Sequence, residues 1–192
     1  MKKSTLLVAA MLIVGLAIAV KAQIRKWPTI SGTPVTIQHG DQERRYRIHV
    51  PNGYDGKTTI PVVLFLHGGG GTDEQASRMG LTPLADKHQF IAVYPNAINK
   101  HWNDGRESQR FIEHDRTIDD VAFLISVLED VSKNHKVDKT RVFAGGVSNG
   151  GFMTQRLAIE RSEVFAAVGV HIATMGEPLS KRLHPAHPGA SL

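Results

Sequence analysis

The chain has 192 residues, of which 41% are hydrophobic and 21% charged, a balance that fits one globular domain with its own core. It contains no cysteine, which excludes disulfide bonds, thiolate metal sites and a cysteine nucleophile. The formal net charge is +5. Because Lys2, Lys3 and Lys21 lie in an N-terminal segment without acids, the rest is close to neutral and gives little support for nucleic-acid binding.

The first 22 residues have the pattern of a secretory signal peptide. Lys2 and Lys3 precede an uncharged apolar stretch over residues 6–20, and Val20-Lys21-Ala22 offers a cleavage site before Gln23. The stretch is shorter than the about 20 residues that span a bilayer. We therefore expect a cleaved signal over residues 1–22, with no stable membrane insertion, and a secreted domain over residues 23–192. An uncleaved anchor is the alternative.

The remaining chain alternates strand-like and helix-like segments. Two apolar segments around a polar turn at residues 39–43 predict an antiparallel hairpin, and the basic cluster of residues 44–47 is expected to be a solvated strand face. The predicted strands cover residues 35–38, 46–50, 60–66, 91–94, 142–144 and 164–172, and the predicted helices begin near residues 73, 119 and 151. This alternation favours a mostly parallel sheet with helices on both faces.

A run of glycines at residues 68–71 follows the strand at residues 60–66. Backbone N–H groups of such a loop can point into a site without obstruction by side chains. We expect Gly69 or Gly70 to donate to a developing oxyanion, and His67 to hold the loop rather than to act as a base. A phosphate-binding loop is an alternative, but Thr72-Asp73 lacks the lysine of a P-loop.

The polar segment over residues 96–117 is long for a connection in a compact domain, which suggests a functional loop. Trp102 in this segment is a candidate substrate-binding residue, because an aromatic ring beside polar groups can line a cleft. A packed turn is an equal alternative. After the loop, Asp119 or Asp120 is expected to cap a helix rather than to serve as an acid or base.

Residues 142–160 combine a short apolar strand, a G-x-S-x-G turn at residues 146–150 and a helix. This is the context of a nucleophile elbow, in which Ser148 takes a strained backbone conformation while Gly146 and Gly150 let strand and helix approach closely. We predict that Ser148 is a nucleophile and that the N–H of Asn149 is the second oxyanion donor. The alternative is an ordinary glycine-rich turn in which Ser148 caps the helix.

A serine nucleophile needs a histidine and an orienting acid, which follow it in the chain order Ser, Asp or Glu, His. The acids after Ser148 are Glu160, Glu163 and Glu177, and the histidines are His171, His184 and His187. The first two acids end a helix far from the expected catalytic edge, and His171 lies in a predicted strand. Pairing Glu177 with His184 or His187 is an alternative, but we expect the acid and the histidine beyond Leu192.

Together these motifs resemble the secreted polyhydroxybutyrate depolymerase and feruloyl and acetyl xylan esterase group of the α/β-hydrolase superfamily. The resemblance is carried by residues 62–71, 101–106, 118–124, 141–153 and 165–168. It implies an α/β-hydrolase fold, here without its last strands, with Ser148 as nucleophile and without cofactor or metal. The group continues through a strand ending near His-Gly-Thr-x-Asp and a later histidine, and nothing in this chain matches either.

The implied activity is that of a secreted carboxylic ester hydrolase. Its substrates would be polyhydroxyalkanoate-type polyesters or feruloyl and acetyl esters of polysaccharides. Two other functions stay open at this point: a peptidase of the prolyl-oligopeptidase type, and an exported binding protein without catalytic activity.

Overall fold

A six-stranded sheet organises the computed structural model, which describes residues 29–106, 117–176 and 180–181. The predicted signal peptide lies outside these residues, as do Glu177, His184 and His187. The strands are β1 (Thr33–His39), β2 (Gln42–His49), β3 (Ile60–Leu66), β4 (Ile91–Pro95), β5 (Val137–Val147) and β6 (Ala167–His171). They lie in the order β1-β2-β4-β3-β5-β6.

Strand direction confirms the predicted mostly parallel sheet. β1 and β2 form the predicted antiparallel hairpin, and β2 also runs antiparallel to β4. β3 is parallel to both β4 and β5, and β5 is parallel to β6. The carboxyl ends of parallel strands meet at one edge, and the pairing of Leu66 with Gly146 brings the glycine loop and the G-x-S-x-G turn together there.

Four helices connect the strands within the described residues: α1 (Asp73–Ser77), α2 (Leu81–His88), α3 (Asp120–Asn134) and α4 (Asn149–Glu160). A 3₁₀ turn spans Ile98–Lys100. The predicted helix from residue 73 is divided at Gly80, whose φ of 91° ends any right-handed path. Asp119 is the cap of α3, because its carboxylate accepts a hydrogen bond from Ala122 N–H at 2.9 Å.

Helices cover both faces of the sheet, as predicted. Side chains alternate across β4: Ile91 and Val93 join the apolar cluster that contains α3 and α4, whereas Ala92 and Tyr94 join the cluster that contains α1 and α2. This two-sided burial explains why β3 and β4 read as uninterrupted apolar runs in the sequence. It also holds the carboxyl edge of β3 and β5 rigidly in place.

The expected solvated face at residues 44–47 is wrong for two of its three arginines. Arg44 is buried and pairs with the equally buried Asp120 at 2.7 Å, and its guanidinium lies 3.7 Å from the centre of the Phe123 ring. Arg47 is mostly buried and contacts Asp73 at 3.3 Å, and only Arg45 keeps half of its side chain exposed. The basic cluster therefore ties β2 to α1 and α3.

β6 has a hydrogen-bonded neighbour on one side only within the described chain, since the strand order ends there. Its residues are partly buried except Gly169 and His171, which are exposed, and Ile172 just after it is 73% exposed. Within the described residues, β6 therefore presents an open and partly apolar edge.

Among the residues that the structure describes, no helix has the length and apolar character needed to cross a membrane.

Candidate active site

Ser148 occupies a sharp turn between β5 and α4. Its φ of 53° and ψ of −119° lie outside the regions that non-glycine residues ordinarily adopt. The Ser148 N–H donates to His171 O at 2.9 Å, and Ser148 O accepts from Phe152 N–H at 3.0 Å. The side chain is exposed, and its hydroxyl makes no hydrogen bond within the described ranges. The turn therefore presents a strained serine to solvent, as the sequence predicts.

The two glycines of the turn are required by space. A Cβ on Gly146 would overlap the Gly150 carbonyl, and a Cβ on Gly150 would lie 2.5 Å from His67 O. Real Cβ atoms essentially never come so close to backbone. The start of α4 therefore packs directly on the ends of β3 and β5, which sets the position of Ser148.

The glycine loop after β3 lies beside Ser148. An ideal Cβ on Gly68 would lie 3.5 Å from Ser148 Cβ, so the loop and the turn are in direct contact. The Gly70 N–H already donates to Lys100 O at 2.8 Å, and Gly71 N–H donates to Gly68 O at 2.9 Å. The expectation that Gly70 could donate to an oxyanion is thereby corrected, since that amide is occupied. Gly69, exposed and without an amide partner among the described residues, stays available.

His67 holds the glycine loop in its neutral form. Its Nε2 accepts from Ala97 N–H at 3.1 Å, so the ring proton must be on Nδ1, which donates to Gly68 O at 2.8 Å. Burial lowers the pKa of His67 below its ordinary value of 6.5. With both nitrogens committed to backbone, His67 has no free lone pair for the Ser148 proton, in agreement with the sequence prediction.

Trp102 does not line a cleft, which corrects its assignment as a substrate-binding residue. The side chain is 1% exposed, and its Nε1 donates to His67 O at 2.9 Å. The Trp102 and His67 rings lie 4.9 Å apart. The packed-turn alternative is the observed one, because the indole anchors the loop after β4 against the loop after β3.

Asn149 contributes more than the backbone amide that the sequence singled out. Its N–H is the first of α4, a position that has no intrahelical partner. Its buried side chain accepts from Trp102 N–H at 2.8 Å and donates to Trp102 O at 3.1 Å. It also donates to Asp104 Oδ2 at 2.6 Å. Sequence reasoning missed these contacts, because nothing in the local pattern links residues 102 and 149.

Asp104 and Arg106 form a second cluster in the loop after β4. Arg106 holds the buried Asp104 carboxylate through Nε at 3.0 Å and Nη2 at 2.7 Å, and its guanidinium stacks 3.7 Å from the centre of the Phe152 ring. Phe152 lies one turn into α4. The loop after β4 is therefore fastened to the same helix whose first residues form the site.

These elements create a site that can stabilise negative charge. An exposed hydroxyl lies at the N-terminus of a helix, where unpaired amides and the helix dipole favour an anion. The amide of Gly69 lies in the loop that contacts Ser148, and the amide of Asn149 directly follows Ser148 in the chain. His171 ends β6, and its carbonyl accepts the hydrogen bond from the Ser148 amide.

A groove of about 580 Å³ lies elsewhere, between α3 and the beginning of β5. Its lining includes Leu128, Val137 and Val164. Neither the glycine loop nor the G-x-S-x-G turn contributes to its lining, since Ser148 follows the opposite end of β5, six residues beyond Val142. The groove therefore does not belong to the site around Ser148.

Fold and site together define an α/β-hydrolase with esterase ancestry. A mixed, mostly parallel sheet carries an exposed serine at the turn after β5. The chain belongs to the Esterase PHB depolymerase family, whose family model matches residues 44–181. The predicted resemblance is therefore confirmed.

The relatives that this chain is similar to include feruloyl esterases and a poly(3-hydroxyalkanoate) depolymerase. The chain is 30% identical over 138 residues to a probable feruloyl esterase C of Aspergillus niger, with 69% of this chain and 47% of the relative covered. It is 29% identical over 121 residues to poly(3-hydroxyalkanoate) depolymerase C of Paucimonas lemoignei, with 62% of this chain and 28% of that protein covered. The chain thus spans about half the length of the feruloyl esterases that it matches.

Solved structures agree with this fold. Acetyl xylan esterase from Aspergillus awamori superposes with a TM-score of 0.56 at 25% identity, covering 73% of this chain and 53% of that one. A thermostable esterase gives the same TM-score at 22% identity, which shows the fold alone, over 71% of this chain and 39% of that chain.

Proposed function

We propose that this protein is a serine carboxylic ester hydrolase that acts through an acyl-enzyme on Ser148. The observation that carries the proposal is the exposed Ser148 at a φ of 53°, beside the available amide of Gly69 and the first amide of α4. The G-x-S-x-G turn of α/β-hydrolases places its nucleophile in this way.

In the proposed reaction, Ser148 Oγ attacks the carbonyl carbon of an ester and transfers its proton to a histidine. The negative carbonyl oxygen of the tetrahedral intermediate accepts hydrogen bonds from the N–H groups of Gly69 and Asn149. The intermediate collapses, the alkoxy group leaves with the proton from the histidine, and an ester of Ser148 remains. Water then attacks the acyl carbon while the histidine takes its proton. The second tetrahedral intermediate collapses, the proton passes to Ser148 Oγ, and the carboxylic acid is released.

The proposal places the histidine and its orienting acid outside the described ranges. His67, the histidine nearest in sequence to the glycine loop, has both ring nitrogens bonded to backbone. Asp104 and Asp120, the buried carboxylates near the site, are each paired with an arginine. These three groups are therefore committed to other partners and do not serve Ser148 in the proposed reaction.

For substrates, we propose polyhydroxyalkanoate-type polyesters or feruloyl and acetyl esters of polysaccharides. The support comes from relatives named as feruloyl esterases and as a poly(3-hydroxyalkanoate) depolymerase. We further propose that the enzyme is secreted, because residues 1–22 have the basic start, apolar stretch and cleavage site of a signal peptide. Polymeric substrates of both kinds would be met outside the cell.

The test compares wild type with Ser148→Ala in the protein encoded by the complete reading frame that contains these residues. Substrates are p-nitrophenyl acetate, methyl ferulate and a poly(3-hydroxybutyrate) suspension. Ser148→Ala is expected to lower kcat about 1,000-fold or more and to abolish labelling by a fluorophosphonate. Ser132→Ala on the distant helix α3 is the matched control and should retain wild-type kcat.

Near-wild-type ester hydrolysis by Ser148→Ala would contradict the proposed nucleophile. Faster turnover of a peptide p-nitroanilide than of every ester would favour a peptidase on the same scaffold. A folded wild-type protein that neither hydrolyses esters nor reacts with the fluorophosphonate would favour an inactive binding protein.

A further inference from the structure

The loop after β4, residues 96–104, lies between the two segments that carry the proposed oxyanion amides. On the side of the glycine loop it makes three hydrogen bonds: Gly70 N–H to Lys100 O at 2.8 Å, Ala97 N–H to His67 Nε2 at 3.1 Å, and Trp102 Nε1 to His67 O at 2.9 Å. The His101 ring also packs on Gly69, where a Cβ would lie 3.0 Å from its Nδ1. The loop thus fixes the segment that holds Gly69.

On the other side, the Asn149 side chain joins this same loop to the elbow. Its Oδ1 and Nδ2 bond the N–H and the C=O of Trp102, at 2.8 and 3.1 Å. The Asn149 side-chain amide therefore bonds both the N–H and the C=O of Trp102, as a residue of a neighbouring β-strand would. The backbone N–H of Asn149 is also the second proposed oxyanion donor. The side-chain hydrogen bonds of Asn149 therefore help to fix the position of that donor.

The chemistry of the pocket requires an amide at this position. Nδ2 faces two acceptors, Trp102 O and Asp104 Oδ2, the latter at 2.6 Å. Oδ1 faces a donor that cannot reverse, the Trp102 N–H. A carboxylate of the same shape would set its oxygen against Trp102 O and against another carboxylate, in a site where Asn149 is only 3% exposed.

We propose that the Asn149 side chain is a positioning residue that sets the distance between the Gly69 and Asn149 amides through the loop after β4. This inference rests on the proposed function of Ser148. Oxyanion donors must lie 2.7–3.1 Å from the developing charge, and a displacement of about 1 Å can cost about 100-fold in rate. Hydrogen bonds that join the two donor segments should therefore increase kcat as well as the stability of the fold.

The experiment uses Asn149→Asp and Asn149→Ala in the protein from the complete reading frame. The first keeps the shape but replaces both Nδ2 donations, to Trp102 O and Asp104 Oδ2, by contacts between oxygen atoms. The second removes all three bonds without this repulsion. Each preparation is titrated to completion with a fluorophosphonate, so that kcat refers to intact sites. We expect kcat to fall about 100-fold in Asn149→Asp and about 10-fold in Asn149→Ala, with KM changed by less than about threefold.

A second readout separates positioning from folding. The affinity for an alkyl boronic acid, which forms a tetrahedral anion on the serine, should fall in parallel with kcat, because both depend on the oxyanion amides. The matched control is Asn134→Asp at the exposed end of α3, the same chemical change far from the site, with wild-type kcat expected.

The outcomes are distinct. If both Asn149 variants keep wild-type kcat per titrated site and wild-type boronate affinity, or lose only thermal stability, the side chain is structural and the inference is overturned. If Ser148→Ala retains turnover, the proposed function itself fails. If Ser148→Ala is inactive while the Asn149 variants lose kcat and boronate affinity together, the inference stands.

Discussion

Gly150 shows how a single missing side chain decides the geometry of the site. The first turn of α4 crosses the end of β3 so closely that a Cβ on Gly150 would lie 2.5 Å from His67 O. We expect Gly150→Ala to lower the free energy of unfolding by about 1–3 kcal/mol, as overpacking does, and to lower kcat by moving Ser148. Urea denaturation of the two proteins measures the first effect.

Gly169→Ala is the matched control for that change. Gly169 lies in β6, where an added Cβ would meet nothing within 4 Å. The free energy of unfolding of Gly169→Ala should stay within about 0.5 kcal/mol of the wild-type value. Equal stability of Gly150→Ala and Gly169→Ala would show that the elbow can open, contrary to the packing described above.

His67 links the site to pH. Burial is the main cause of its lowered pKa, with a smaller lowering by His101, whereas the Gly68 carbonyl, Asp73 and Asp120 act in the opposite direction. Because the folded pKa lies below the unfolded value of about 6.5, the unfolded state takes up more protons as pH falls. The contribution of His67 to the free energy of unfolding is therefore fully present well above a pH of about 6.5, and it decreases as the pH falls below that value.

The measurement for this pH effect is the free energy of unfolding at pH 7.5 and at pH 5.5. His67→Gln keeps a donor and an acceptor but cannot titrate, so it should lose less stability than wild type between the two values. An equal loss in both proteins would assign the acid sensitivity to other groups, such as His135, whose pKa is also lowered by burial.

At the scale of elements, the buried pair of Arg44 and Asp120 joins β2 to the first turn of α3. Asp120 also accepts from Asn103 N–H at 2.7 Å, which ties the loop after β4 to the same point. Asp120→Asn leaves the Arg44 charge buried without its counterion, and we expect a loss of about 3–5 kcal/mol in unfolding free energy. Arg141→Ala, which breaks an exposed pair with Asp138, should leave the denaturation midpoint unchanged.

The elements themselves were largely predictable, because local signals determine them. Apolar runs located β3 and β4, turn residues located the β1–β2 hairpin, and the G-x-S-x-G turn located Ser148. Contacts between distant elements were not predictable. Arg44 lies in a cluster of charged strand residues, which is typical of a solvent-exposed face. Its partner Asp120 is 76 residues away in the chain.

Trp102 illustrates the same limit within the site. An aromatic residue in a polar loop fits both a substrate cleft and a packed anchor, and the sequence gives no way to choose between them. The choice is made by His67, which follows β3, and Asn149, which begins α4, because they supply the partners of its indole and its backbone. Local sequence thus identified the nucleophile, whereas the supporting network around it required three-dimensional structure.

At the scale of the whole molecule, the clearest consequence comes from the side of β6 that has no strand neighbour among the described residues. An edge strand with unpaired backbone groups and partly apolar side chains is a template for association with another chain. We expect the 192-residue chain expressed by itself to form oligomers in light scattering coupled to size-exclusion chromatography. Ile172→Lys places a charge beside that edge, at a position that is 73% exposed. This variant should shift the population toward monomer.

Leu84→Lys tests whether position matters in this shift. Leu84 is a 48%-exposed apolar residue on α2. This helix precedes β4, which lies three strands away from β6 in the sheet, and the substitution adds the same charge. Association through β6 requires that Ile172→Lys reduces oligomers and Leu84→Lys does not. If both lysines act alike, general charge repulsion is the cause, and if the unsubstituted chain is a monomer with one cooperative unfolding transition, the edge is not a site of association at all.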